Sequence, residues 1–320
     1  MNDRYIMDEI SESISIVVPV FNSQDTLRPL CTRLIDVMNS MRVDFEIILV
    51  NDGSRDSSWA VILDLAKQNS FIKGINLMRN FGQHNALLCG IREAQYDYTV
   101  TIDDDLQHKP ESIPALWAKL HEGYGVVYGS PKEERHGLFR DAASVLTKAA
   151  LSSVMNAKSA RHVSAFRIFK TKIRDAFASF HSPNVSIDVL LTWGTDRIGY
   201  VEVDHDPRTN GVSHYNFAKL VNHAMNLMTG FSTLPLRIST WLGFATVIFG
   251  IVVLLYVLIR YLINGGAVPG FSFLASIISI FAGAQLFTLG IFGEYLGRMY
   301  LRAMEKPSYV IQSTSDPENE

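Results

Sequence analysis

In the stretch VTIDDDLQHKPE, Val100 to Glu111, three carboxylates stand side by side directly after a run of β-branched residues. Acids this close repel one another, and nothing in the stretch neutralises all three. Adjacent carboxylates with an amide oxygen nearby suit a hard divalent cation, Mg²⁺ or Mn²⁺. On a strand or its extended end, residues two apart share a side. Asp103 and Asp105 then point together, with the Gln107 carbonyl next in step, and Asp104 faces the other way as a supporting or capping group. No histidine or cysteine cluster competes for the position, which argues against zinc, and His108 is read as orienting the loop. An ion held by two or three protein oxygens keeps positions for a substrate diphosphate, where it acts as Lewis acid and template for a departing nucleoside diphosphate. The arrangement suits glycosyl transfer.

Strand-like and helix-like segments alternate around these acids from residue 14 to about 205. ISIVVPVF, FEIILVND, IKGINLMR, YTVTIDDD and YGVVYGS are compact β-rich runs. SQDTLRPLCTRLIDVMNS, SSWAVILDLAKQN and GQHNALLCGIREAQ carry apolar residues at helical spacing. This alternation predicts an α/β domain with a mainly parallel sheet, whose ligands bind at the carboxyl ends of the strands. Polar clusters fall at four such ends: VPVFNSQDT, NDGSRDSS, RNFGQHN and DDDLQH. Together they predict one shared cleft. GxGxxG and GxxxxGK[ST] are both absent, which removes the main support for dinucleotide-dehydrogenase and P-loop readings.

The chain has 320 residues and a formal net charge of −3, so no basic field suggests nucleic acid. Its two cysteines, Cys31 and Cys89, are far apart and fit small buried hydrophobes in a reducing compartment. The polar start, residues 1–13, lacks the apolar core of a signal peptide. Between Arg237 and Arg260 lie 22 uncharged residues, and none from Tyr261 to Gly293 is charged either. About 20 apolar residues cross a bilayer. Two spans are therefore expected, at about 236–262 and 271–293, joined by INGGAVPGF. Arg208, Lys219 and Arg237 precede the pair, and Arg298, Arg302 and Lys306 follow it. By the positive-inside rule both termini and the α/β domain face the cytosol. The segment 211–235 reads as an amphipathic helix lying on the membrane, and 299–320 as a cytosolic tail whose end, QSTSDPENE, is disordered in composition.

SIVVPVFN, LVNDGSRDSS, RNFGQHNALLCG and IDDDLQHKPE resemble the successive motifs of the GT-A family 2 glycosyltransferases. GSPKEERHGLFRDAAS, FRIF, DPRTNGVSHYNFAKLVNHAMNLMTGFSTLPLR and GAQLFTLGIFGEYLGRMY narrow the resemblance to the polyisoprenyl-phosphate glycosyltransferases. Bactoprenyl glucosyltransferases, undecaprenyl-phosphate formamido-arabinose transferases and dolichyl-phosphate mannose synthases are similar in pattern. The resemblance runs from about 14 to 311. It implies a Rossmann-like GT-A domain over 14–210, a two-helix anchor over 236–298 in a bacterial inner membrane, and a homo-oligomer such as a tetramer. The reaction implied is inverting transfer of one sugar from a nucleotide-sugar, a UDP-sugar by the bacterial character of the match, to polyprenyl phosphate. Carried over by position, Pro19, Phe21 and Asn22 line the nucleoside pocket, Asp52 contacts base or ribose, and Asp104 joins the donor site. Asp103, Asp105 and Gln107 form the metal site. Arg79, Arg140, Arg167 and Arg208 lie near the donor or acceptor phosphates. Pro131, Val212 and His214 depart from subfamily patterns and leave the sugar open.

The chemistry agrees with this resemblance. A phosphate monoester is largely a dianion at neutral pH and already a nucleophile. It needs cations to approach a diphosphate more than it needs a general base. A sugar-hydroxyl acceptor would need a base, for which Asp188 is the one candidate, against a solvated or capping role. His84 fits a structural hydrogen bond or a sugar contact equally. The third reading is a non-catalytic nucleotide-sugar binder, and the intact pair Asp103 and Asp105 argues against it.

Overall fold

The computed structural model describes residues 12–131, 162–206, 229–230, 232–264 and 270–316. The five expected strands form as β1 (Ser13–Val20), β2 (Asp44–Asn51), β3 (Ile72–Leu77), β4 (Tyr98–Thr101) and β5 (Val126–Pro131). Three more join them: β6 (Arg167–Lys170), β7 (Ile198–Val203) and β8 (Ile311–Thr314). All eight lie in one sheet, in the order β7-β5-β6-β4-β1-β2-β3-β8. Strand β6 runs antiparallel between β4 and β5, and β8 runs antiparallel on β3; the other neighbours are parallel.

Period-two geometry explains why the central strands are apolar throughout. Ile14, Ile16, Val18 and Val20 of β1 enter the core on one face, with Ile47 and Leu49 of β2. Val17, Ile48 and Val50 enter the core on the opposite face. A sheet covered on both sides has no solvent face on which to place polar residues. Helices α1 (Leu27–Met41), α2 (Ser58–Gln68) and α4 (Ile113–Leu120) cover the first face. Helices α3 (Gln83–Glu93) and α5 (Ile187–Gly194) cover the second. Gly90 lets α3 press onto the sheet, since a Cβ there would lie 2.4 Å from Val17 Cγ1. Cys31 and Cys89 are fully buried in these cores, and burial pushes both thiols up to about 12.

Strand order fixes where the ligand cleft must lie. From β1 the chain steps outward through β2 to β3, then α3 carries it back to β4 on the other side of β1. The loops after β1 and β4 therefore diverge, and an open crevice forms between them at the carboxyl ends. Asp103 to Asp105 follow β4, and Phe21 follows β1.

Helices α6 (Leu234–Asn264) and α7 (Phe271–Ala303) are both long and apolar enough to cross a membrane, and the most apolar stretch of each is unburied by the rest of the chain. The second runs well past its expected end at 293. Most of the expected 211–235 helix lies outside the described residues.

The C-terminal tail differs from expectation. Residues 311–314 pair with β3, and Gly74 N donates to Ser315 Oγ at 2.8 Å. Just before the strand, Ser308 exchanges hydrogen bonds with Ser182, and Met78 N donates to Val310 O at 3.0 Å. Composition missed this because a sheet edge rewards backbone groups, and polar side chains there cost little. Ending the chain after Pro307 is expected to bare the β3 edge. The apparent Tm should fall by several degrees, and amide-exchange protection at Gly74 and Met78, whose N–H groups donate to Ser315 Oγ and Val310 O, should be lost.

Candidate active site

The crevice between β1 and β4 is a cleft of about 340 Å³. Pro19, Val20 and Phe21 form one wall, and Asp103, Asp104 and Asp105 the facing one; Asp52, Asn80, Gly82 and Gln83 complete the lining. The four polar strand ends thus meet, each contributing at least one lining residue.

The loops are tied to one another by side chain to backbone bonds. Asp104 Oδ2 accepts from Phe21 N at 3.0 Å, bridging the β4 and β1 loops across the cleft. Asn22 adopts a left-handed φ of 54°, accepts from Arg55 N at 2.8 Å through Oδ1, and donates its own N–H to Ser54 Oγ at 3.0 Å. Asp52 receives Phe81 N at 2.7 Å and Gly82 N at 2.9 Å, one on each oxygen, and is 3% exposed. Both oxygens of the residue expected to contact base or ribose are therefore already engaged in holding the β3 loop. Desolvation raises its pKa despite those bonds.

Gly53 has φ +66°, and a Cβ there would sit 2.5 Å from Asn80 N and 2.6 Å from Arg79 C. Gly53→Ala is expected to displace the β3 loop at a cost of about 1–3 kcal/mol. Affinity for a nucleoside diphosphate should fall about ten- to hundredfold, measured by titration calorimetry on the full chain.

The three acids lie past the end of β4, in a turn where Leu106 takes φ +60°. Strand alternation therefore does not govern them. Asp104 lines the same cleft as its neighbours, although it does act as the expected cap. Asp103 Oδ1 accepts from Gln83 Nε2 at 2.6 Å, a partner the motif reading missed. Only the position of Gln83 at the first turn of a helix that begins at the cleft could have revealed it. Desolvation, then the charges of Asp105 and Asp104, push the Asp103 carboxyl up to about 7, against the pull of Arg167 and Gln83. Asp104 is raised as well, chiefly by desolvation.

Such a cluster retains a proton where a cation would relieve the same repulsion. The donors are all hard oxygens, which fits Mg²⁺ or Mn²⁺. Among the described residues no three His, Cys, Asp or Glu side chains converge to hold a metal by themselves. The carboxylates thus fit an open site shared with a substrate rather than a closed structural one.

Gln107 is not among the residues lining the cleft. Its backbone N–H reaches Asp105 Oδ1 at 3.1 Å, and its backbone carbonyl accepts from Asp206 N at 3.0 Å. His108 forms a β-bridge with His205 and packs on Phe166 and the His205 ring. Burial, helped by His205 and Arg167, lowers its pKa to about 4, so at neutral pH it is an uncharged packing group. Arg79 lies over the Phe81 ring, 4.2 Å from its centroid, and bonds to Asn80 O. It too is absent from the cleft lining.

Arg167 departs furthest from the phosphate contact expected of it. It is 1% exposed and forms a buried ion pair with Asp188 at the start of α5. Asp188 is correspondingly neither solvated nor presented as a base. Strand β6 buries Arg167 because it is hydrogen-bonded on both sides, which a four-residue run does not announce. His84 Nδ1 accepts from Ile187 N at 3.3 Å, the structural hydrogen bond of its two readings. Arg140 and Arg208 lie outside the described residues.

A mostly parallel α/β sheet with acids at the β1/β4 crevice, followed by two apolar helices, defines the GT-A class of sugar transferases. Residues 15–178 match the family model described as glycosyl transferase family 2. Over 302 residues the chain is 33% identical to the undecaprenyl-phosphate 4-deoxy-4-formamido-L-arabinose transferase of Proteus mirabilis, covering 93% of each. It is 34% identical over 302 residues to the transferase of the same name from Shewanella sediminis, covering 93% of this chain and 91% of that one. The crystal structure of mannosyl-3-phosphoglycerate synthase from Rubrobacter xylanophilus shares the fold, with a TM-score of 0.50 at 18% identity over 68% of this chain and 72% of that. The chain belongs to glycosyl transferase family 2 and is an enzyme that transfers a sugar.

Proposed function

We propose that the enzyme moves one sugar from a nucleotide-sugar, a UDP-sugar, to polyprenyl phosphate at the cytosolic face of a bacterial inner membrane. The observation that carries this reading is the likeness, over 93% of the chain, to the two undecaprenyl-phosphate transferases. The acidic cleft supports the donor side of it. Asp103 and Asp105 would hold a divalent cation, which supplies charge neutralisation for a leaving diphosphate.

The chain's own residues do the rest. Asp104 and Asp52 fix the Phe21 and Phe81 loops, so the nucleoside meets preformed walls. A phosphate oxygen of the acceptor attacks the anomeric carbon as its bond to the diphosphate oxygen breaks, inverting that centre. Arg140 and Arg208 are proposed to bring the acceptor phosphate to the donor. The pairing of β8 with β3 supports a topology in which both ends of the helix pair return to the catalytic domain's side. Gly283 and Gly290 of α7 have open space where a Cβ would stand, which favours close approach of a second copy in a homo-oligomer.

The test is a transfer assay on the full chain in detergent, with undecaprenyl phosphate, Mn²⁺ or Mg²⁺, and a panel of UDP- and GDP-sugars. A new lipid-phosphate sugar, abolished by EDTA and restored by the metal, is expected. Sugar transfer to a lipid-linked glycan but never to polyprenyl phosphate would overturn the acceptor. Donor binding with no turnover on any acceptor would overturn the reaction.

A further inference from the structure

A second concavity, about 350 Å³, opens away from the acidic cleft, where the two apolar helices meet the catalytic domain. That volume falls in the range of ligand sites, about 300–1,000 Å³. Its depth along the helices follows from named contacts. The Tyr295 hydroxyl donates to Ser232 O at 2.5 Å, and a Cβ on Gly230 would lie 3.5 Å from an Arg298 nitrogen. The start of α6 therefore sits beside the 295–298 turn of α7. The uncharged stretch of α7, from 271 to 293, spans about 34 Å at about 1.5 Å per residue, matching a hydrocarbon core of about 30 Å. Arg298 and Arg302 come directly after it, at the depth of the lipid headgroups.

The lining suits one kind of occupant. Two guanidiniums, Arg298 and Arg302, share it with the hydroxyls of Ser232 and Thr233 and the amide of Asn184. Among the described residues no carboxylate lines it, although Glu294 Oε1 takes one nitrogen of Arg298 at 2.7 Å. The N-terminus of α6 adds its dipole, with Ser232 Oγ already accepting from Leu234 N at 3.1 Å. Trp193 is 48% exposed at the rim, as interfacial tryptophans are. Below the pocket, the flanks of both helices are apolar and open to acyl chains. Basic residues at the cytosolic end of an anchor are ordinary. A concave site that also offers hydroxyls, an amide and a helix N-terminus around two arginines is more than a snorkelling pair.

We propose that this pocket binds the phosphate headgroup of an anionic bilayer phospholipid, separately from the acidic cleft. The guanidiniums take the phosphate, the hydroxyls and the amide take the headgroup's polar end, and the chains lie along α6 and α7. Segment 180–187 joins the pocket to the cleft. Phe180, Ser182 and Asn184 line the pocket, Asn85 Nδ2 donates to Pro183 O at 3.2 Å, and Ile187 N donates to His84. Lipid occupancy would thereby steady the first turn of α3, from which Gln83 reaches Asp103.

The proposal rests on the membrane reading of α6 and α7 but not on the transfer reaction. Fractionation of the full chain with membranes is therefore checked first, and its failure would remove the membrane reading itself. The chain in an uncharged detergent is then titrated with phosphatidylglycerol, phosphatidylcholine, undecaprenyl phosphate or inorganic phosphate, following apparent Tm and bound lipid by native mass spectrometry. Phosphatidylglycerol is expected to bind and raise the Tm, with phosphatidylcholine much weaker. Arg302→Gln should lose several-fold in affinity and Arg298→Gln/Arg302→Gln the whole effect. Arg260→Gln, at the far end of α6, should change nothing. If the double variant cannot be purified, Thr233→Val decides: it keeps both charges and should still weaken phosphatidylglycerol. Equal binding of phosphatidylcholine, or of inorganic phosphate alone, would overturn the headgroup assignment. So would an undecaprenyl phosphate effect that depends on Arg302 and displaces phosphatidylglycerol, since the pocket would then belong to the acceptor.

Discussion

Asp105→Asn is expected to lower sugar transfer by about 10²- to 10⁴-fold with little change in stability. The magnitude follows from the charge. A metal that stabilises a leaving diphosphate contributes several kcal/mol, and each 1.36 kcal/mol is a factor of about ten in rate. Asparagine is chosen over alanine because Asp105 Oδ1 accepts from Gln107 N, and an amide oxygen can do the same. The turn that contains Leu106 in its left-handed conformation is then kept. The variant loses a charged ligand and should bind Mn²⁺ more weakly, while the eased repulsion on Asp103 keeps it folded. Transfer rate, Mn²⁺ titration and apparent Tm measured together separate the outcomes. A fall in Tm matching the loss of rate would mean that Asp105 holds the loop and does no more. Full activity with a metal requirement intact would place the ion elsewhere.

The parts of this molecule legible in the sequence are those whose physics is local. Strands β1 to β5 and helices α1 to α3 follow from runs and periodicities, because a sheet covered on both faces must be written in continuous β-branched residues. The carboxylates of 103–105 are legible because three adjacent acids need a reason. What escaped depends on partners distant in the chain. Arg167 looks like any surface cation until β6 is seen between β4 and β5, and Asp188 like any acid in the first turn of a helix. Asp52 sits in a turn motif, yet its bonds go to Phe81 and Gly82 on another loop. Strand β8 joins an edge some 235 residues away in sequence, Ile311 opposite Leu77, through backbone groups that composition does not encode.

The buried pair Arg167–Asp188 should show the larger effect on folding. Arg167→Leu leaves the Asp188 carboxylate in a core that includes Leu190 and Phe177, both at most 1% exposed. Breaking such a pair from one side costs about 3–5 kcal/mol, or roughly 10 °C in apparent Tm for a domain of this size. The double variant Arg167→Leu/Asp188→Leu removes both charges and should recover most of that stability, since paired burial gains little over apolar packing. Activity should not return with it. Arg167 is the cation that favours ionisation of Asp103, opposing desolvation and the two neighbouring acids. Without it the carboxyl holds its proton more firmly, and a cation must displace that proton. The double variant should therefore need more Mn²⁺ than the wild type for half-maximal rate. Recovery of stability without recovery of metal affinity would make Arg167 a positioning residue acting through Asp103. Recovery of both would make the pair a matter of packing alone.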